Sequence, residues 1–145
     1  MNENFTLKGK LQLILKDGEG RVKQIVDRDN LIVTVGKNFA ASALLNASAS
    51  PFTHMAIGTG TTPAALADTA LQSQSVRQAF TSSSVPANVA SMSTTYAAGV
   101  GTGAITEAGI FNASSGGTML SRVVFDVINK SASDSLTINW TVTVG

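Results

Sequence analysis

From Leu136 to Val144 the chain alternates without a break: Leu136, Ile138, Trp140, Val142 and Val144 are interleaved with Thr137, Asn139, Thr141 and Thr143. A repeat of two sends successive side chains to opposite faces of an extended strand, so this segment requires a core under one face and tolerates solvent on the other. Leu7, Leu11, Leu13 and Leu15 alternate in the same way with Lys8, Lys10 and Gln12. Further strands are predicted over 52–57, 76–82, 88–97, 104–112 and 118–128, separated by breaks rich in Ser, Gly and Asn.

Local signals connect these runs. Lys16-Asp17-Gly18-Glu19-Gly20 supplies a hairpin turn, after which residues 21–26 return as a partner strand. Asp27-Arg28-Asp29-Asn30 reads as a polar break before a third, β-branched strand over 31–35 closed by Gly36, which predicts a three-stranded meander. Residues 37–46 contain no Gly, Pro or β-branched residue, and Phe39, Ala40, Ala43 and Leu44 share a helical face, which predicts the single helix. Residues 64–74 fit a short helical turn or a loop, and Ser114-Ser115-Gly116-Gly117 fits a hairpin loop. The fold expected is all-β, a β-sandwich or jelly roll of about eight short antiparallel strands. Its one short helix lies near 37–46. At 145 residues the chain suits one domain, divided here into an N-terminal arm over 1–6 and a β-sandwich over 7–145.

Charge narrows the function. Ten Lys and Arg balance nine Asp and Glu, which cannot supply the phosphate contacts of a dedicated nucleic-acid binder. The neutral surface instead falls to 32 Ser and Thr and 19 Ala. Without cysteine there is neither a disulfide nor a zinc–thiolate site. The first residues lack a basic stretch followed by an apolar one, and no apolar run approaches membrane-spanning length, so neither a secretory signal nor a membrane partner is expected.

No catalytic, metal or cofactor-binding residue emerges. His54 is the only histidine and reads as a strand-surface side chain. Gly58-Thr59-Gly60-Thr61-Thr62-Pro63 lacks the Gly-Lys-Ser/Thr ending of a phosphate cradle, and Gly99-Val100-Gly101-Thr102-Gly103 lacks dinucleotide-loop spacing, so both read as turn glycines. Asp68, Glu107, Asp126 and Asp134 are far apart in sequence, although a β-fold could bring two together. Twelve of the nineteen charges fall in residues 1–37. Among them Lys8, Lys10, Lys16, Arg21 and Lys23 could form one positive face on the first hairpin, either protecting an exposed strand or docking to an acidic surface.

Three strings in order, Asn30-Leu31-Ile32-Val33-Thr34-Val35-Gly36-Lys37-Asn38, Met55 through Pro63, and Ala104-Ile105-Thr106-Glu107-Ala108-Gly109-Ile110-Phe111-Asn112, resemble small tailed-bacteriophage virion proteins. The closing strands, Gly117 through Phe125 and Leu136 through Trp140, look like the same group, and Thr-Glu-x-Gly-hydrophobic-Phe strings also occur in N-terminal modules of phage tail fibres. The resemblance implies a non-enzymatic structural protein of the virion. As a capsid cement or decoration protein it would sit on the outer capsid surface, over joints between major capsid protein subunits, as a homo-oligomer with a trimer favoured. The alternative is a tail-fibre or baseplate component located on the tail. Docking is assigned to the arm, with Phe5 as its apolar anchor, and to Lys8, Lys10, Lys16, Arg21 and Lys23 as its polar rim. A carbohydrate-binding β-sandwich is a more remote alternative, which would use exposed aromatics such as Trp140 or Tyr96.

Overall fold

The computed structural model describes residues 6–46 and 48–145. Nine strands and one helix follow in the order β1 (Leu7–Lys16), β2 (Val22–Ile32), α1 (Thr34–Ala43), β3 (His54–Gly58), β4 (Gln74–Ala79), β5 (Ser82–Ser84), β6 (Val89–Tyr96), β7 (Gly103–Phe111), β8 (Met119–Lys130) and β9 (Ser135–Val144). The fold is all-β and antiparallel, as the alternation requires. The strands form one sheet in the order β4-β3-β7-β8-β2-β1-β9-β6-β5.

This sheet curls into a half-barrel whose two halves face each other. The bend lies between β2 and β8, which pair only at Leu31↔Arg122 and Ile32↔Ser121. Beyond that point the strands splay, and side chains span the opening: Arg28 reaches Asp126 at 3.1 Å and Gln24 donates to the Val127 carbonyl at 3.5 Å. The enclosed core takes Leu11, Leu13, Leu15, Ile138 and Trp140 from one half and Met55, Ile57, Ala108, Ile110 and Phe125 from the other. Tyr96 closes it, its hydroxyl donating to the Met55 carbonyl at 2.6 Å.

Several elements differ from expectation. The run 76–82 is not one strand. It divides into β4 and β5, which lie at opposite edges of the sheet. Phe80 and Thr81 cross between those edges, where Phe80 N–H donates to Thr53 O and Thr81 N–H to Ser93 O. The meander's third strand does not form either, because β2 continues through Asp27–Asn30. Asp27 and Asp29 face solvent. Arg28 pairs with Asp126, and the Asn30 amide donates to the Ser121 hydroxyl. Asn30 also lies where a Cβ on Gly9, its cross-strand partner, would sit, so that glycine admits the side chain.

The helix begins three residues earlier than predicted. Its first turn is held by Thr34 N–H on Leu66 O, while Val33 N–H pairs with Leu120 O just before it. Gly36 lies directly on the backbone of Leu120 and is the only buried residue of the helix. Phe39 meets Phe52 edge-on at 5.1 Å, whereas Ala43 and Leu44 are exposed rather than packed.

Candidate functional site

The two outer faces of the half-barrel are unlike. Over β3, β7 and β8 the connection between β3 and β4, residues 59–73, folds back onto the sheet. Loops of this length without secondary structure are uncommon in compact domains and need a reason. Leu71 plugs a second small core with Val33, Ala56, Phe111 and Met119. Beside it lies the most elaborate polar arrangement in the molecule.

Its centre is Glu107, which is fully buried. Its Oε2 accepts from the backbone N–H of Gly60 at 2.7 Å and of Ser73 at 2.7 Å. Its Oε1 accepts from Gln72 N–H at 2.9 Å and from Arg122 Nε at 3.1 Å. Arg122, only 2% exposed, then spreads its fork over the loop, donating to Asp68 Oδ2 at 3.0 Å and to Thr62 O at 2.9 Å. The Gln72 side-chain oxygen accepts from Thr61 and Thr62 N–H, and the Thr106 hydroxyl donates to Gly60 O at 2.7 Å. Both ends of the loop are therefore tied to one carboxylate.

The glycines of Gly58-Thr59-Gly60 have a different purpose from the turn role expected of them. Neither has a positive φ. A Cβ on Gly58 would strike the Ser73 carbonyl and one on Gly60 the Glu107 carboxylate, so the loop can close on the acid only with glycine at both places. Gly99 and Gly101, with φ of 81° and 66°, are turn glycines, whereas Gly103, with φ of 141°, opens β7 opposite Lys130.

Burial pushes the Glu107 carboxyl up. The three N–H donors and the guanidinium outweigh it and hold the group below the usual carboxylate range. An ionised carboxylate has about four acceptor positions, and here four donors fill them. With no position left for a substrate proton, this ion fixes a loop and cannot serve as a general base. Among the described residues no three His, Cys, Asp or Glu side chains gather to hold a metal.

The other outer face, formed by β5, β6, β9, β1 and β2, carries no covering loop among the described residues. Cross-strand rows run Ser84, Ser91, Thr141, Lys10, Asp29 and then Ser82, Ser93, Asn139, Gln12, Asp27. Beside them Thr95 and Thr137 share a hydroxyl–hydroxyl bond of 2.9 Å next to Ile14 and Ile25. This is a broad face of hydroxyls and amides with a few charges at one side.

The predicted docking residues divide. Phe5 lies outside the described residues. Lys8, Lys10 and Lys16 are exposed on the outer side of β1. Arg21 sits at the hairpin turn in ion pairs with Asp17 and Glu19, and Lys23 bonds Asp134 at 2.8 Å. Lys10 stands opposite Asp29, so the hairpin presents mixed charge. His54 is half-buried, its Nδ1 2.7 Å from the Thr53 hydroxyl. Trp140 and Tyr96 are wholly buried, so neither can stack on a sugar ring. Asp68 and Glu107 do meet, around an Arg122 that the sequence reading passed over. The available signal was a lone acid in the otherwise uncharged β7 and an arginine among the uncharged residues 119–125 of β8.

No helix among the described residues is long and apolar enough to cross a membrane. No family model, curated protein or solved structure matches the chain.

Proposed function

We propose that this chain is a non-enzymatic structural protein of a tailed-phage virion, a capsid cement protein that docks its bare outer face on joints between major capsid subunits. The observation that carries the reading is the composition of that face. Ser, Thr, Asn and Gln lie in register across four strands, β5, β6, β9 and β1, and the rows end at Asp27 and Asp29 of β2. Short side chains lose little rotamer entropy on burial, and hydroxyls can hydrogen-bond to a partner without the desolvation cost of ions. Such a face suits a surface repeated many times, where modest affinity per copy is multiplied by self-association, a closed trimer being the favoured form. The ionic knot supports the same reading. Two strings of the resemblance, Met55 through Pro63 and Ala104 through Asn112, meet at Glu107, where they stiffen the opposite side of the sheet.

Gold-labelled antibody on particles of the source phage tests the proposal. Label spread over the head supports cement. Label confined to the tail would move the chain to a fibre or baseplate role, and no label on any particle would overturn the virion reading.

A further inference from the structure

The sheet has an open seam. β2 stays paired with β1 from Asn30 back to Val22, and β8 runs on to Lys130, yet the two strands pair with each other only at Leu31↔Arg122 and Ile32↔Ser121. In an antiparallel ladder every second residue turns both its N–H and its C=O to the same neighbour. Val33 N–H donates to Leu120 O, which puts Leu31 in the set that faces β8, and the alternation carries that direction back through Asp29, Asp27 and Ile25. Past Leu31 this edge of β2 has no strand paired with it. Two side chains stand there instead. The Arg28 guanidinium donates to Asp27 O at 2.8 Å and to Asp126 Oδ2 at 3.1 Å, and the Gln24 amide donates to Val127 O at 3.5 Å. One added strand needs two ladder steps, about 9.6 Å, a gap that an Arg–Asp pair and a Gln side chain can bridge.

We propose that this seam is a strand-addition site, in which the open edge of β2 takes one extended segment of a partner protein that alternates apolar and basic residues. Extended peptides join such edges through main-chain hydrogen bonds, while alternate side chains give specificity. The main-chain groups of Asp29, Asp27 and Ile25 set the length of the segment at about five to seven residues. Its apolar residues follow from the closed end of the seam, where a hollow beside Asp29 is walled mainly by Leu31, Pro63, Ala64, Val123 and Val124. Its basic residues follow from the charge along the edge. Asp27 and Asp29 are exposed, and Asp126 across the seam is 89% exposed, with Arg28 as its ion-pair partner. The other side of β2 already shows this match, since Lys10 of β1 is the cross-strand partner of Asp29. The Arg28–Asp126 pair that an entering strand displaces is held weakly, as exposed ion pairs are. The site is separate from the hydroxyl rows and does not rest on the virion reading.

A capped, dye-labelled peptide of the chain's own residues 7–16, LKGKLQLILK, has the required alternation and serves as the probe in fluorescence anisotropy. It should bind saturably in the micromolar range. The same peptide carrying Gln12→Pro and Leu13→Pro, which removes a main-chain donor from each edge, should bind about tenfold more weakly or worse. In the protein, Arg28→Ala clears the seam and should tighten binding, and Asp27→Asn/Asp29→Asn should weaken it about threefold. The absence of native cysteine permits a direct block: Arg28→Cys/Asp126→Cys, bridged across the seam by a short bismaleimide, should bind about tenfold more weakly than the same protein with each thiol capped singly. Unchanged Trp140 emission shows that each variant is folded. No saturable binding to the Arg28→Ala protein at about 1 mM peptide would overturn the proposal, as would equal binding of the proline peptide. Binding indifferent to the bridge would also overturn it and place the peptide at another edge of the sheet, and indifference to the Asp27 and Asp29 substitutions would overturn the basic half of the pattern.

Discussion

Replacing Glu107 by Gln keeps the shape of the side chain and removes its charge. The new amide turns an NH2 group toward two of the four donors, and the buried Arg122 keeps only Asp68 as a counter-ion. Breaking a buried ion pair from one side costs about 3–5 kcal/mol. Hydrogen bonds to charged groups are worth about 1.5–3 kcal/mol each, but members of one network do not add, so the pair value is the better guide. Against a total stability of about 5–15 kcal/mol the loss is large. Urea unfolding followed by emission of the single Trp140 measures it. The pH dependence separates the charge from the shape. A carboxyl depressed in the folded state contributes stability above its unfolded pKa of about 4.3 and loses it as pH falls through the folded value. The gap between wild type and Glu107→Gln should therefore be widest at neutral pH and close in acid, while other carboxylates cancel between the two proteins. A neutral-pH gap below about 1 kcal/mol, or one that stays constant into acid, would refute the account of the knot.

Other substitutions probe the packing. Burial raises the Tyr96 phenol far above its ordinary value, so this single tyrosine should show no phenolate absorbance in alkali until the protein unfolds, and folded stability should fall as pH rises past about 10. Tyr96→Phe strands the Met55 carbonyl and should cost about 1 kcal/mol in urea unfolding. Gly36→Ala should destabilise by about 1–3 kcal/mol despite the better helix propensity of Ala, because its Cβ would lie 2.5 Å from Leu120 O; a gain in thermal midpoint would show that α1 is not seated on β8. Asp134, held low first by the Lys23 bond, contributes stability that acid removes, so Asp134→Asn should weaken the fold at neutral pH and matter less in acid.

The strands were legible wherever one face is buried and the other wet. The Leu136–Val144 alternation matches β9 residue for residue, because a single core face imposes the period of two. Legibility failed where tertiary partners overrule local grammar. Asp27–Asn30 reads as a break, yet Asp126, Ser121 and the space over Gly9 supply what an extended polar run needs. Val33-Thr34-Val35 reads as the end of a strand closed by Gly36, yet Leu66 and Leu120 start a helix there. The knot was invisible for the same reason: the partners of Glu107 are backbone N–H groups and an arginine from another strand, which no local window contains.

The placement of charge makes a further demand on the proposed docking. Of the five basic residues on the first hairpin, Arg21 and Lys23 are already paired within the chain, and Lys10 faces Asp29. Only Lys8 and Lys16 remain, in no described ion pair and with no acid as cross-strand partner, and they lie near opposite ends of β1. Charges at that separation act independently in ordinary buffer, where screening sets in at roughly 10 Å. Exposed pairs of this kind contribute about 0–1 kcal/mol each. If the hydroxyl face makes the contact, association with particles stripped of the protein should weaken only a few-fold between about 0.05 and 0.5 M salt. Substituting Lys8 and Lys16 with Gln should change it little, whereas Asn139→Lys at the centre of the face should abolish it. A steep fall with salt that Lys8→Gln and Lys16→Gln remove would transfer the contact from the hydroxyl rows to the lysines, and the face would then be an ordinary solvated surface.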